Sequence, residues 1–302
     1  MVCPRRCLRS GAAWAMASRC AGLTRKGARC SITSCSRLTD EQGRHVAEPL
    51  QRGGAYCRFH ARPFVTHSVG YFDGPALLFY LDLESTGVDV ASDQIVELAC
   101  CHAPSDPRAN GAAFSTVVRA TAEDTASHVH GIEAQEIAAA PVLSSAWARF
   151  LRFVEDIQMT TVQDCNDSEG EEEDRLTLLP SEFPTVLLAA HNGIRFDFAM
   201  LLFELVRHGM TWSALDRWLF VDTLALAQAV GVSNLGGCAK LQCLVRGHCV
   251  GLQAHRALDD CIALRAVVRG VAESYGVGVI DLLRPLAVRL DLAASAAQVC
   301  TM

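Results

Sequence analysis

An unbroken apolar run, residues 77–81, leads straight into Asp82, Leu83 and Glu84. Five apolar residues in a row, with no polar face, fit a strand buried on both sides. In a strand, side chains two positions apart share a face. Asp82 and Glu84 therefore converge at the strand's end. Two carboxylates held so close repel each other, unless one takes up a proton or a cation lies between them. Hard oxygen donors suit magnesium or manganese. Alone, the triplet fits an exposed strand end as well as it fits a metal site.

The segments after it limit the fold. Residues 93–103 and 113–120 read as two further strands, and their short connections favour antiparallel neighbours. Residues 142–157 carry apolar positions at helical spacing, with Ser144 or Ser145 near the start. Residues 185–190 form a short apolar strand, and 196–209 a helix ending at Gly209. Residues 218–231 hold a short strand and then a helix, with Asp222 or Thr223 as its N-cap. A helix over 255–276 and an amphipathic segment over 279–297 complete the chain. Three strands followed by strands alternating with helices predict an α/β domain with a mixed sheet flanked by helices, over residues 75–302.

Half of the 302 residues are apolar and 20% are charged, enough for a core and too balanced for wholesale disorder. No apolar run approaches the length of a membrane span, so no membrane association is expected. The net charge of −6 hides an asymmetry. The first 39 residues contain no Asp or Glu but carry Arg5, Arg6, Arg9, Arg19, Arg25, Lys26, Arg29 and Arg37. Residues 164–174 hold seven acids in eleven positions. Such self-repulsion predicts a solvated, disordered loop over 162–176, with an acidic mimic of a phosphate backbone as the alternative. Of the fourteen cysteines, Cys100, Cys101, Cys238, Cys243, Cys249 and Cys261 sit in apolar segments. There they are expected to act as small buried hydrophobes in a reducing compartment. The expected location is intracellular, with nucleus, cytoplasm and mitochondrion left open.

Two later stretches change the weight of the Asp82–Glu84 pair. "HNGIRFD" follows an apolar strand and places Asp197 at a helix start. "HRALDD" sets His255 five positions before Asp260, also at a helix start. With "DLEST", these motifs resemble the DEDDh 3′–5′ exonucleases, a family named for four acids and one histidine. The likeness covers roughly residues 77–275, including the "HGI" of residues 130–132 and the "VDT" of residues 221–223. It is most similar to the three-prime repair exonuclease branch. The resemblance implies a ribonuclease-H-like fold and two metal ions, Mg²⁺ or Mn²⁺, per active site. It implies that Asp82 bridges both ions, that Glu84 and Asp260 complete one site, and that Asp197 supports the other through water. His255 would then take the proton from the attacking water. Asp260 is preferred to Asp259 because the family places the acid five positions after the histidine. Adjacent residues on a helix point about 100° apart, so only one of the two can face the metals. The turn Ser85, Thr86 and Gly87 is expected to approach the terminal nucleotide. His191 and Asn192 either contact substrate or hold a strand-to-helix turn.

The basic head, residues 16–65, carries Cys20, Cys30, Cys57 and His60 as ligands for one Zn²⁺, with Cys35 as an alternative to Cys30. Cys57 and His60 can reach one ion from a single turn. The pattern resembles a small cysteine/histidine module, here with its halves separated by residues 31–56. Arg25, Lys26 and Arg29 can hold nucleic-acid phosphates. Residues 1–15 read either as a mitochondrial presequence or as an extension ahead of a start at Met16.

The expected function is a metal-dependent exonuclease releasing nucleoside 5′-monophosphates from single-stranded or frayed 3′ ends of DNA. An exoribonuclease and a non-catalytic nucleic-acid-binding adaptor are the alternatives. A homodimer and association with a polymerase stay open as assemblies.

Overall fold

A computed structural model describes residues 66–69, 72–90, 92–104, 111–168, 184–231, 239–245 and 255–293. The chain divides into two compact units, Met1–Arg62 and Pro63–Met302, and every described residue lies in the second. The presequence and the zinc ligands Cys20, Cys30, Cys57 and His60 lie outside the described residues, as do Cys238 and Cys249.

Among the described residues, seven strands build one mixed sheet: β1 (Thr66–Ser68), β2 (Ala76–Ser85), β3 (Ile95–Ala103), β4 (Ala113–Val117), β5 (Thr185–Ala190), β6 (Leu219–Asp222) and β7 (Val288–Leu290). Their order is β1-β7-β6-β5-β2-β3-β4. The meander β2-β3-β4 is antiparallel, and β5 and β6 join β2 in parallel. This is the expected mixed sheet, and with its flanking helices it is the ribonuclease-H-like fold. The helices are α1 (Ser127–His130), α2 (Ala134–Ala139), α3 (Leu143–Ser168), α4 (Asp197–Arg207), α5 (Thr223–Ala229), α6 (Leu241–Val245), α7 (Ala257–Tyr275) and α8 (Val279–Leu283).

Strand β2 is central, and its side chains sort by parity. Leu77, Phe79, Leu81 and Leu83 enter one core with Trp147 and Phe150 of α3 and Phe198, Met200 and Leu202 of α4. Leu78 and Tyr80 enter the other core with Leu226 of α5, Leu241 of α6, and Leu264 and Val268 of α7. Each such side chain, fully buried, contributes about 1.5–3 kcal/mol before conformational entropy is charged against it. Asp82 and Glu84 continue the second parity, so they emerge on the α7 side where the apolar packing ends.

Three expectations need correction. Helix α3 continues to Ser168, past Ile157 and into the stretch expected as a loop from residue 162. No glycine or proline interrupts 158–168, so the helical ladder runs on to Ser168; residues 169–183 lie outside the described residues. The segment from Val279 is not one amphipathic helix. It is α8, a 3₁₀ turn over Arg284–Leu286, and β7. Pro285 at the start of that turn cannot continue the hydrogen-bond ladder of α8. Cys100, Cys101 and Cys261 are free and buried as expected, whereas Cys243 is disulfide-bonded.

Candidate active site

Asp82 and Glu84 leave the last turn of β2, and Asp260 comes from the first turn of α7. Carboxylate oxygens of these three residues all lie within 4.8 Å of one another. The ladder between β2 and β3 slips after Glu84, where Ser85 pairs with Ile95 instead of the next residue in register. Such a bulge bends a strand away from its sheet and re-aims its side chains. It turns the chain into the 85–87 turn directly beyond the acids.

Asp197 opens α4, is almost fully buried, and is not in the 4.8 Å cluster. Its Oδ1 accepts the N–H of Leu83 at 3.1 Å, the residue between Asp82 and Glu84. It therefore grips the acid-bearing end of β2 from α4. His255 precedes α7 with φ 65°, the left-handed region, which costs a non-glycine residue about 1–2 kcal/mol. Its N–H donates to Asp260 Oδ2 at 3.1 Å, tying the histidine backbone to the third acid.

The acids perturb one another. Burial first, then the charges of Asp197, Asp260, Glu84 and Glu97, raise Asp82 well above the ordinary carboxylate range. Burial and the charges of Asp260, Glu97 and Asp197 push Glu84 up to about 8, with Arg256 opposing. Burial raises Asp197 to about 7, although its own N–H and that of Leu83 pull the other way. Asp260 is raised by burial too, and the His255 N–H opposes. All four shifts have one sign: the site crowds more negative charge than its surroundings stabilise. Divalent cations bound by oxygen donors match that deficit.

The turn residues are occupied within the protein. Ser85 Oγ donates to the Gly87 carbonyl at 2.6 Å. Thr86 Oγ1 donates to Asp93 Oδ1 at 3.2 Å and accepts from Gln94 N at 3.0 Å. The Thr86 carbonyl accepts both the N–H and the hydroxyl of Thr125, each at 2.9 Å. A Cβ at Gly87 would sit 2.7 Å from Asp93 Cγ, so a larger residue there would push the Asp93 carboxylate from its bonds to Thr86 and Asp89.

His191 lies in the turn after β5. Its Nε2 is 2.7 Å from the Ala239 carbonyl and its Nδ1 is 3.0 Å from Thr223 Oγ1. Asn192 has φ 66°, and its N–H donates to Asp222 Oδ1 at 2.9 Å. Asp222 also caps α5 through Leu224 N at 2.9 Å. Both His191 nitrogens thus have protein partners that hold the strand-to-helix turn.

The sequence reading missed Glu97 and Arg256. Glu97 sits in mid-β3, is almost fully buried, and faces Glu84 in register. Its signal was available: a lone acid inside the otherwise apolar "IVELACC". Such an acid needs a buried partner.

Residues 79–171 match the exonuclease family model RNase_T. The chain is 27% identical over 230 residues to the Arabidopsis thaliana protein "Exonuclease DPD1, chloroplastic/mitochondrial". That match covers 72% of this chain and 63% of the relative, so the chain spans less than two thirds of that relative's length. Among solved structures, an E. coli ExoI–ssDNA complex aligns with a TM-score of 0.49 and 17% identity, covering 69% of this chain and 42% of that one. Cell-death related nuclease 4 (CRN-4) aligns at 0.48 and 12%, covering 66% and 64%. The family match and the sequence relative agree with the resemblance to DEDD-type exonucleases read from the motifs.

Proposed function

We propose that this protein is a divalent-metal-dependent 3′–5′ exonuclease acting on single-stranded or frayed 3′ ends of DNA. The observation that carries this reading is the gathering of Asp82, Glu84 and Asp260 oxygens within 4.8 Å. Buried Asp197 beside them and the His255 backbone bonded to Asp260 support it. The family match over residues 79–171 supports the reaction class.

Asp82, Glu84 and Asp260, with Asp197 behind them, would hold Mg²⁺ or Mn²⁺, two ions per site. Bound there, the cations would neutralise phosphodiester charge and make a bound water more acidic. The chain's own residues supply the rest. His255, its backbone tied to Asp260, accepts the proton of the attacking water. The water oxygen bonds to phosphorus as the P–O3′ bond breaks; the leaving O3′ takes a proton from solvent, giving a nucleoside 5′-monophosphate and a new 3′-hydroxyl. The 85–87 turn, braced by Asp93 and Thr125, presents backbone to the terminal nucleotide. In the head, Cys20, Cys30, Cys57 and His60 take one Zn²⁺.

The test is incubation of purified protein with 5′-labelled single-stranded DNA and matched RNA, in Mg²⁺ or EDTA. The reading expects a ladder shortening from the 3′ end of DNA in Mg²⁺ and none in EDTA. Immediate release of labelled mononucleotide would reverse the direction, and preferential loss of RNA would make the protein an exoribonuclease. No cleavage of either strand would favour the non-catalytic adaptor.

A further inference from the structure

Glu97 and Arg256 join two elements that must meet for the site to exist. Arg256 Nε donates to Glu97 Oε2 at 3.1 Å and Arg256 Nη2 to Glu97 Oε1 at 3.0 Å. Glu97 Oε2 also accepts the N–H of Ala257 at 3.1 Å, and Oε1 the hydroxyl of Ser115 at 3.2 Å. Both oxygens are thus used twice. Ala257 is the first residue of α7, and Arg256 ahead of it makes no side-chain cap of its own. The carboxylate of Glu97, from mid-sheet, therefore caps this helix in trans. It meets one of the helix's unpaired N–H groups and the positive end of its dipole.

The capped junction is a site junction. Arg256 lies between His255, held in the left-handed region, and the turn that carries Asp260. Glu97 stands in register opposite Glu84. One carboxylate thus ties the strand pair that carries Asp82 and Glu84 to the helix start that carries His255 and Asp260. The fork geometry matters as much as the charge: guanidinium and carboxylate meet in two parallel hydrogen bonds, which fixes orientation as an ammonium cannot.

We propose that Glu97 and Arg256 are positioning residues that set His255 and Asp260 against Asp82 and Glu84; the proposal rests on the nuclease reading above. A pair that served only fold stability would tolerate Arg256→Lys, which keeps the charge, with little effect on the site. A positioning pair would not.

The experiment compares the full-length wild type with Arg256→Lys, Arg256→Ala and Glu97→Gln. It reads the melting temperature, Mg²⁺ affinity by calorimetry without nucleic acid, and kcat and KM on a single-stranded DNA oligonucleotide. Arg256→Lys is expected to melt cooperatively near the wild type, to bind Mg²⁺ several-fold more weakly, and to lose roughly 10–100-fold in kcat with KM little changed. Glu97→Gln should show a loss of the same kind, and the double variant Glu97→Gln/Arg256→Lys should lose no more than about the larger of the two single effects, because the two residues act as one unit. Wild-type kcat and Mg²⁺ affinity in Arg256→Lys would overturn the proposal, even if Arg256→Ala failed to fold. If the wild type binds Mg²⁺ but cleaves nothing, the nuclease reading fails, and the calorimetry still decides the pair. If the wild type binds no Mg²⁺, both fail.

Discussion

Glu84 lies directly opposite Glu97 in the antiparallel pair of β2 and β3. Like charges opposite each other destabilise a sheet. The two acids differ in company: Glu97 is matched by the fork of Arg256, whereas Glu84 converges with Asp82 and Asp260. One is paired with a cation of the chain itself, and the other stands in a cluster of acids.

The metal-free protein should lose stability as pH rises. Glu84 moves from an ordinary 4.5 to about 8, and Asp197 from 3.8 to about 7, in the folded state. Between those limits the folded chain binds more protons than the unfolded one, so stability falls with rising pH. On the proposed reading, Mg²⁺ would bind the deprotonated site, so its stabilisation should grow over the same window. Thermal melts in EDTA and in Mg²⁺ check this. The gain from Mg²⁺ should be larger at pH 8 than at pH 6, and an equal gain at both would contradict it.

Asp260→Asn should abolish most nuclease activity, and Asp259→Asn should be nearly silent. Asp260 is buried and its oxygen lies in the 4.8 Å cluster, whereas Asp259 is not in that cluster. Steady-state rates on one oligonucleotide rank the two. The reverse ranking would put the register of α7's first turn in error.

Gly87→Ala should destabilise the protein by about 1–3 kcal/mol through overpacking. The added methyl would meet Asp93, which holds the Thr86 hydroxyl at 3.2 Å and Asp89 N–H at 2.7 Å. In a double-mutant cycle with Asp93→Ala, the combined cost should fall below the sum of the single costs. Strict additivity, read from denaturant midpoints, would refute the contact.

Much of the site is legible in the sequence because its logic is local. Period two places Asp82 and Glu84 on one face, and a five-residue spacing places His255 and Asp260 at one helix start. What escapes is long-range. Glu97 reaches Arg256 across 159 positions, and Gln94 Oε1 accepts Thr121 N at 2.6 Å and Ala122 N at 2.8 Å. No window of the chain contains both partners. The edge strand β1 and its neighbour β7, three residues each, are too short to show a period. They form by pairing across the sheet: β7 joins β6 on one side and β1 on the other. His191 shows why motif residues keep two readings: the same turn that resembles a substrate contact uses both ring nitrogens on Thr223 and Ala239.

The head should bind one zinc per chain through thiolate and imidazole, which select zinc over magnesium. Elemental analysis of the purified full-length protein checks this, with Cys57→Ala expected to lose the metal and to keep cleaving short oligonucleotides. Less than about half an equivalent of zinc in the wild type would contradict the ligand set.

A carboxylate-held metal centre is tested most directly by the Mg²⁺-dependent cleavage rate of Asp82→Ala on a 5′-labelled single-stranded DNA oligonucleotide. Asp82 sits among Asp197, Asp260 and Glu84, and burial with those charges raises its pKa, so removing it relieves repulsion in the metal-free protein. The variant is expected to melt at or above the metal-free wild type while losing at least about 100-fold in rate. A folded Asp82→Ala protein that keeps more than about a tenth of the wild-type rate would contradict a carboxylate-held metal centre.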